Sequence, residues 1–232
     1  MLKKKITIII CSYNNSSYLK KCLESVFNQS LSHNYYNVIL VDDKSKDNSL
    51  EITKKYSNKK NFKIIKNYKN IGLVKSCNKA IKSAKTKFIV RVDSDDYISK
   101  KFIATFLKHI NSKYDFIFSN YKILKKNKTI NIEINNFKDL ISCSVAMNKN
   151  ILIKIGGYKN FLWEEYDLYL RYFKKTKKIF RIKEHLYFYR FHQNNMTKLL
   201  SWKKKAWEQL YKKHKKSDVQ FLEQQIRLSK IN

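Results

Sequence analysis

Residues 86–102 read TKFIVRVDSDDYISKKF, an apolar run that ends in three carboxylates within four positions. The chain of 232 residues otherwise carries 50 Lys and Arg against 18 Asp and Glu, a formal net charge of +32. A short apolar run rich in branched side chains predicts a buried β-strand, so the acids at 93–96 follow the end of a strand. Negative charge gathered at that point of so basic a chain is either a surface accident or a place where a cation is held, and the rest of the sequence has to distinguish the two.

The same pattern recurs on the N-terminal side of this stretch. Short apolar runs predict strands, and the amphipathic segments between them predict helices: strands at 6–10, 37–43, 61–66 and 87–93, and helices at 16–29, 47–57 and 72–84. Strands that alternate with helices form right-handed βαβ units. We therefore expect an α/β fold with a mostly parallel, Rossmann-like sheet flanked by helices.

Polar side chains lie at or just past the ends of the predicted strands. Asn14 follows the first strand, Asp42 and Asp43 end the second, and the DSDD sequence ends the fourth. In open α/β sheets, ligands bind outside the carboxyl ends of the strands. These side chains should converge on one edge of the sheet, and that edge is the expected site.

The second half of the chain adds elements to this core. We predict a helix at 99–111, strands around a polar turn at 125–128, a strand and short helix over 143–158, a helix over 163–178 and a strand over 179–192. From about residue 200, two basic amphipathic helical segments look appended. The expected organisation is a main domain of residues 1–199 and a helical extension of residues 200–232.

The high positive charge is weak evidence for a polyanionic partner. Lys outnumbers Arg 45 to 5, Pro is absent and only three Gly are present. An A+T-rich genome would produce much of this composition, because Lys, Asn and Ile use A+T-rich codons. Base recognition in nucleic acids favours Arg forks, which are scarce here, so we expect no nucleic-acid partner.

The compartment is indicated by the cysteines and by the N-terminus. Cys11, Cys22, Cys77 and Cys143 show no C-x-x-C spacing, which disfavours a zinc site or a disulfide framework and suits a reducing compartment. The opening MLKKKITIIICSYNN imitates a signal peptide, but its apolar run is short and lacks a cleavage site. No apolar run approaches the roughly 18–20 residues that span a bilayer. We expect a cytoplasmic protein.

Four segments stand in a characteristic order: IIICSYNNSSYLKKCLESVFNQS, VILVDDKSKDNS, NYKNIGLVKSCNKAIKSAKTKFIVRVDSDDY and IGGYKNFLWEEYDLYLRYFKK. Over about residues 5–195 the chain closely resembles the family 2 glycosyltransferases, inverting enzymes of the GT-A fold that use nucleotide-sugar donors. The resemblance implies that a sugar moves from such a donor, expected to be a UDP-sugar, to a hydroxyl group. The acceptor would be a glycan or a lipid-linked saccharide in surface polysaccharide synthesis.

The resemblance assigns the DSDD sequence to the donor and its metal. Asp93, Ser94 and Asp95 match the D-x-D motif of the family, and Asp96 matches a further acid that often follows it. The implied metal ligands are Asp95, Asp96 and the downstream His192, and the implied cofactor is Mg²⁺ or Mn²⁺. A hard divalent cation suits this place because it takes oxygen ligands from carboxylates and phosphates together. A solvated acidic loop is the alternative.

The resemblance also implies the contacts with the nucleotide. Asp43 matches the acid that accepts a hydrogen bond from the base, with Asp42 as the second choice. Tyr13 and Cys11 match the segment of the first strand that packs on the base, although the family usually has Pro at the position of Cys11. Lys75 and Asn78 would face the nucleotide from the helix after NIG; a plain role on the helix surface is the alternative for both.

The general base is expected in WEEYDLYLR. Glu165 occupies the position where the family generally has the catalytic Asp. Glu164 is the closest competitor for this role, because the start of the helix cannot be fixed to one residue from the sequence; Glu164 or Asp167 could instead cap the helix. The positive end of the helix dipole should keep Glu165 deprotonated at neutral pH. The preceding Gly156 and Gly157 suggest a tight turn near the acceptor, and a structural turn alone explains them equally well.

Two rival functions and one further partner follow from the same residues. A metal-dependent nucleotidyltransferase also uses clustered acids to hold metal-bound phosphates, and a lysine-rich protein could bind nucleic acid through charge alone. The basic segment 201–232, with Trp202, Trp207, Leu210 and Tyr211 on one helix face, suits peripheral binding to an anionic membrane surface. A helix that packs on the core is the alternative for that segment.

Overall fold

The computed structural model describes residues 4–110, 113–192, 195 and 200–229, with the side chains of 200–203 excepted. The first half is the predicted alternation of strands and helices: β1 Ile6–Ser12, α1 Ser16–Phe27, β2 Tyr36–Asp42, α2 Ser49–Lys54, β3 Phe62–Lys66, α3 Leu73–Ser83 and β4 Phe88–Arg91. Strands β3, β2, β1 and β4 lie side by side in that order, and all are parallel. The predicted parallel core is confirmed.

The central strands are mostly apolar because protein covers both faces of the sheet. Residues 6–10 of β1 and 38–42 of β2 are all buried. Helix α1 shows the 3.6-residue period of a helix with one covered face, and it buries Leu19, Cys22, Leu23, Val26 and Phe27. The apolar stripe predicted for this segment is therefore the face that packs on the sheet.

The second half contains short helices and further strands: β5 Tyr97–Ile98, α4 Phe102–His109, β6 Phe116–Lys125, β7 Lys128–Ile132, a 3₁₀ turn Phe137–Asp139, β8 Val145–Asn148, α5 Lys149–Lys154, α6 Glu164–Phe173 and β9 Ile179–Arg190. The strand order is β3-β2-β1-β4-β8-β6-β9-β5, with β7 paired to β6. Strand β8 is antiparallel to both β4 and β6, and β9 is parallel to β6. The sheet is thus mixed, and every antiparallel pairing involves a strand of the second half.

Two helices, α7 Leu200–Lys213 and α8 Lys216–Leu228, form the C-terminal part of the described chain. Leu210, Leu222 and Ile226 are buried against the rest of the protein, and the ring of Trp207 stacks on Tyr166 at 5.6 Å. The apolar face predicted for a membrane surface is largely turned toward the core, because the aromatic side chains of α6 cover it. The predicted boundary at 199/200 adjoins residues 196–199, and those residues and the side chain of Trp202 lie outside the described part.

Within the described residues, no helix combines the length and the apolar composition that crossing a bilayer requires.

Candidate active site

The carboxyl ends of three neighbouring strands meet at one edge of the sheet. Ser12 of β1 pairs in register with Asp42 of β2, and β1 lies between β2 and β4. The Asn15 side-chain amide donates to Ser94 Oγ at 2.7 Å, which ties the loop after β1 to the DSDD sequence after β4. The sheet therefore brings the polar ends of its strands together as the sequence predicts.

Asp96 turns its carboxylate into the protein. The side chain is only 1% exposed, and it accepts hydrogen bonds from Tyr187 Oη and the Arg190 backbone N–H, both at 2.7 Å. Burial, followed by the charges of Asp95 and Asp93, raises the pKa of Asp96 well above its usual range, and the two hydrogen bonds oppose this shift. In this arrangement Asp96 anchors the loop to β9 from inside.

Asp95 contacts a histidine. His192 Nε2 lies 3.0 Å from Asp95 Oδ2, and both side chains keep part of their surface exposed. The His192 ring stacks on Tyr18 of α1, with centroids 4.6 Å apart. Burial and the charge of Asp93 raise the pKa of Asp95, whereas the hydrogen bond with His192 lowers it. Among the three residues predicted as metal ligands, the structure brings these two together.

The donor chemistry of this pair fits a divalent cation. A carboxylate and an imidazole are suitable ligands for Mn²⁺, and phosphate oxygens of a nucleotide could complete the shell. Asp93, Asp96 and Cys143 form a second grouping, with ligand atoms within 4.8 Å of one another. The Cys143 sulfur is a soft ligand, whereas Mg²⁺ and Mn²⁺ prefer oxygen ligands. The first grouping fits the predicted cofactor better.

Arg91 joins the DSDD loop to helix α6. Its Nε donates to Asp93 Oδ1 at 2.6 Å and its Nη1 donates to Glu164 Oε1 at 2.8 Å. The guanidinium is nearly fully buried, so its charge is compensated by the two carboxylates and not by water. This one cation therefore fixes the distance between an acid of the DSDD loop and the first turn of α6.

Asp43 is occupied by the segment that leads into α3. Its two carboxylate oxygens accept hydrogen bonds from Asn67 Nδ2 and from the backbone N–H groups of Ile71 and Gly72, all within 2.9 Å. Gly72 has a positive φ of 83°, which glycine adopts without strain. Asp43, predicted to accept a bond from the base, here shapes the NIG loop.

Asp42, beside Asp43, accepts one hydrogen bond among the described residues, from the Ser45 backbone N–H to Oδ2 at 3.3 Å. Asp42 Oδ1 and Ser12 Oγ are both buried, and neither has a hydrogen-bond partner among the described residues. Tyr13 is 45% exposed directly beyond them. Cys11 lies behind Tyr13 in β1, with its Sγ 3.5 Å from Cys77 Sγ of α3. Two unsatisfied polar atoms beside an accessible ring are the features expected of a surface that receives a planar ligand.

The remaining predicted nucleotide contacts are divided between structural and exposed positions. Asn14 has a positive φ of 49°, and its Oδ1 accepts from the Lys46 backbone N–H at 2.7 Å, so it fixes the loop after β2. Asn78 binds the Tyr158 backbone through both ends of its amide, at 2.8 and 2.9 Å. Lys75 is exposed on α3. The structure thus gives Asn14 and Asn78 structural contacts, and it leaves Lys75 accessible.

The first turn of α6 contains three acids in different surroundings. Glu164 is paired with Arg91, and the fully buried Asp167 pairs with Arg171 at 2.6 Å and with His214 at 2.9 Å. Glu165 accepts no hydrogen bond from another residue in the described part of the chain. Burial and the neighbouring Glu164 raise its pKa to about 8, more than the helix terminus and Arg91 can offset. The expectation that Glu165 is deprotonated at neutral pH is therefore corrected.

Several residues that shape this site were not predicted from the sequence. Arg91, Tyr187 and Asn15 each bind a residue of the DSDD loop or its neighbours. The sequence could have indicated the role of Arg91, because a charged residue inside a buried apolar strand has to be paired with opposite charge. No sequence pattern indicated the contacts of Tyr187 and Asn15, since their partners are distant in sequence.

With this geometry in place, comparison with known proteins decides the family. A model of the family described as glycosyl transferase family 2 matches residues 7–188. The chain belongs to glycosyltransferase family 2. This family 2 chain is 30% identical over 172 residues to the poly(ribitol-phosphate) beta-N-acetylglucosaminyltransferase TarS of Staphylococcus aureus, covering 71% of the chain and 29% of that relative. It is 42% identical over 99 residues to a poly(ribitol-phosphate) beta-glucosyltransferase of Bacillus spizizenii, covering 42% of the chain and 16% of that relative.

Solved structures show the same fold. The family 2 chain matches TarS 1–349 of Staphylococcus aureus in complex with UDP-GlcNAc with a TM-score of 0.76 and 20% identity, covering 98% of the chain and 72% of that structure. It matches the mannosyltransferase PcManGT of Pyrobaculum calidifontis, in complex with GDP-Man and Mn²⁺, with a TM-score of 0.75 and 10% identity. The match covers 98% of the chain and 70% of that structure. The GT-A fold class predicted from the sequence is confirmed. The chain nevertheless spans less than a third of the length of the two curated relatives named above.

Proposed function

We propose that the chain transfers a sugar from a nucleotide-diphosphate donor, with UDP-sugars first, to a hydroxyl of a glycan or lipid-linked saccharide, with inversion at the anomeric carbon. Membership of family 2 supports the reaction class, and relatives named for poly(ribitol-phosphate) substrates support a role in surface polysaccharide synthesis. The likeness to a fold solved with UDP-GlcNAc supports the choice of donor. Cysteines that are all free suit the cytoplasm, where such donors are available.

The observation that carries the proposal is the bridge through Arg91. This buried guanidinium binds Asp93 on the donor side and Glu164 on the side of the proposed base, at 2.6 and 2.8 Å. A displacement with inversion needs a group that takes the proton of the attacking hydroxyl on the side opposite the leaving diphosphate. Arg91 fixes the separation of the donor loop and the helix start, so the two halves of the reaction are held at a constant spacing.

The nucleotide would lie at the ends of β1 and β2. We assign the base contact to Asp42, because Asp42 Oδ1 is unpartnered among the described residues while Asp43 is occupied by the NIG loop. Ser12 Oγ, unpartnered beside it, could donate to or accept from the same base edge. The exposed ring of Tyr13 would cover the face of the base.

The diphosphate would lie at the DSDD loop. Asp95 and His192 would hold Mg²⁺ or Mn²⁺ there, and the ion would neutralise the charge that grows on the diphosphate as the glycosidic bond breaks. Asp96 fixes the loop from behind through Tyr187 and the backbone of Arg190. Asp93 is oriented by Arg91 and remains partly exposed toward the donor.

Glu165 would take the proton of the acceptor hydroxyl. Its carboxyl accepts no hydrogen bond from another described residue, so no partner has to leave before it receives a proton. Its pKa of about 8 lies close to neutral pH. A carboxylate with such a pKa is a stronger base than an ordinary one, and a useful fraction of it is still deprotonated and able to accept a proton. Glu164 is a weaker candidate because Arg91 holds it.

The proposal is tested by measuring which nucleotide binds and which product leaves. Thermal shift with UDP, GDP or ADP and Mn²⁺ should show stabilisation by one of them, about 2.7 kcal/mol at 100 times its dissociation constant. Incubation with the matching nucleotide-sugar should release the nucleoside diphosphate, and Asp95→Ala should abolish this release without lowering the melting temperature. Release of pyrophosphate would instead identify a nucleotidyltransferase. Binding to oligonucleotides that needs no metal and falls steeply between about 50 and 200 mM salt would favour a nucleic-acid role.

A further inference from the structure

The helix pair α7–α8 contacts the helix that carries the proposed base. His214, between the two helices, is 5% exposed, and its Nε2 lies 2.9 Å from Oδ1 of the fully buried Asp167 in α6. Because a carboxylate only accepts, the ring nitrogen carries the proton in this bond. Lys174 and Asp218 add an ion pair of 2.8 Å between the end of α6 and α8. The contact with His214 is thus a buried polar bond at the same helical turn as Glu165.

A chain of hydrogen bonds runs from Asp167 through Arg171 to the turn at Gly156 and Gly157. Arg171 donates to Asp167 through Nε at 2.8 Å, and its two terminal nitrogens donate to the backbone carbonyls of Ile155 and Gly157, each at 2.8 Å. Gly157 has a positive φ of 65°, and a Cβ at this position would collide with Asn78 Oδ1. The turn before α6 is therefore fixed from α3 on one side and from Arg171 on the other.

The same helix pair also covers the segment just before the base. The Gln209 side chain accepts from the Leu162 backbone N–H at 2.9 Å. Trp207 packs edge-on against Trp163 at 5.2 Å and stacks on Tyr166 at 5.6 Å. These contacts reach residues on both sides of Glu164 and Glu165, and they come from a part of the chain beyond the family match, which ends at residue 188.

We propose that the helix pair α7–α8 braces the catalytic helix, and that His214 is a positioning residue for Glu165. Removing the His214 bond would free Asp167 and Arg171 to rearrange, and the first turn of α6 would shift against the donor. A base displaced by about 1 Å can cost about 100-fold in rate without a change in donor binding. The inference rests on the proposed function, because it takes Glu165 as the base.

The test compares three variants of the full chain. His214→Phe keeps a ring but loses the donor, His214→Gln keeps a donor near the Nε2 position, and Lys212→Gln changes an exposed side chain on α7 as the matched control. We expect kcat for donor turnover to fall about 10- to 100-fold in His214→Phe, with the dissociation constant of the nucleoside diphosphate changed less than about twofold. His214→Gln should recover most of the rate, and Lys212→Gln should match the wild type.

Hydrogen exchange supplies a readout that does not depend on turnover. Amides of 157–167 should exchange faster in His214→Phe, while amides of β1 and β4 stay as protected as in the wild type. A folded His214→Phe with unchanged kcat and unchanged exchange would overturn the proposal. Should that variant not fold, His214→Asn, which is too short to reach Asp167, takes its place under the same criteria. If the wild type turns over no nucleotide-sugar, the proposed function fails, and the exchange comparison still decides whether the helix pair braces α6.

Discussion

The DSDD loop and the first turn of α6 each carry three acids, and the two regions treat their acids differently. In the loop, every carboxylate meets a donor: Asp93 meets Arg91, Asp95 meets His192, and Asp96 meets Tyr187 and the Arg190 backbone. In α6, Glu164 and Asp167 are held by Arg91, Arg171 and His214. Within the described residues, Glu165 accepts no bond from another residue.

This difference indicates which acid can take part in proton transfer and which acids hold the structure in place. A carboxylate that accepts two hydrogen bonds is fixed in place, and taking a proton would break those bonds. A half-buried carboxyl that accepts no bond from another described residue can exchange its proton without such a loss. The loop thus presents a fixed surface for a charged ligand, while α6 presents one unfixed acid between two fixed ones.

The strongest test of this comparison removes the unfixed acid. Glu165→Gln preserves shape and should leave nucleotide binding unchanged, because the donor loop is fixed by other residues. Turnover should fall about 10²- to 10⁴-fold, the usual contribution of a general base. Steady-state kinetics with the identified donor, together with nucleotide titration, measures both effects. If Glu165→Gln keeps its rate while Glu164→Gln or Asp167→Asn loses it, the wrong acid of the three has been taken as the base.

The second test removes the cation shared by the two regions. Arg91→Met leaves Asp93 and Glu164 without their partner, and Glu164 is largely buried. Loss of one partner of a buried ion pair costs about 3–5 kcal/mol, so the free energy of unfolding in urea should fall by that amount. Lys54→Met is the control, since its pair with Glu51 is exposed to solvent and its loss should leave stability nearly unchanged. A loss no larger than that of Lys54→Met would mean that the bridge does not tie the two regions together.

The third test is the pH dependence that follows from the raised pKa of Glu165. Because the carboxylate is the active form, kcat/KM should rise about tenfold per pH unit below the midpoint and level off near pH 8. Glu164→Gln removes the neighbouring charge that helps to raise this pKa, so its midpoint should move to lower pH. A wild-type midpoint near 4.5, the ordinary value for Glu, would show that the unpartnered acid of α6 does not have the raised pKa assigned to it.

Much of the fold could be predicted because it depends on local pattern. The apolar stripe of α1, the four parallel strands and the two-residue turn between Lys125 and Lys128 all follow from spacing within a few residues. The position of the DSDD acids at a strand end also follows from the chain alone. The antiparallel placement of β8 could not be predicted, because strand order depends on contacts between distant segments.

Within the site, the sequence identified the kinds of side chain but not their directions. Asp42 and Asp43 are adjacent and chemically identical, yet Asp42 accepts from the Ser45 backbone N–H while Asp43 accepts from the NIG loop. Asp95 and Asp96 separate for a similar reason, since one meets His192 and the other is drawn inside by Tyr187. In either pair, moving the predicted role by one residue along the chain would give it to a side chain with different contacts.

By itself, the sequence determined an α/β chain of glycosyltransferase family 2 with its acids at the ends of strands, because periodicity and ordered motifs are local properties. Only the tertiary structure decided that Arg91 joins Asp93 to Glu164 and that His214 reaches Asp167. It also decided that Glu165 has a pKa of about 8. The physical reason is that burial and ion pairing depend on which distant side chains exclude water from one another, and no short stretch of sequence contains both partners.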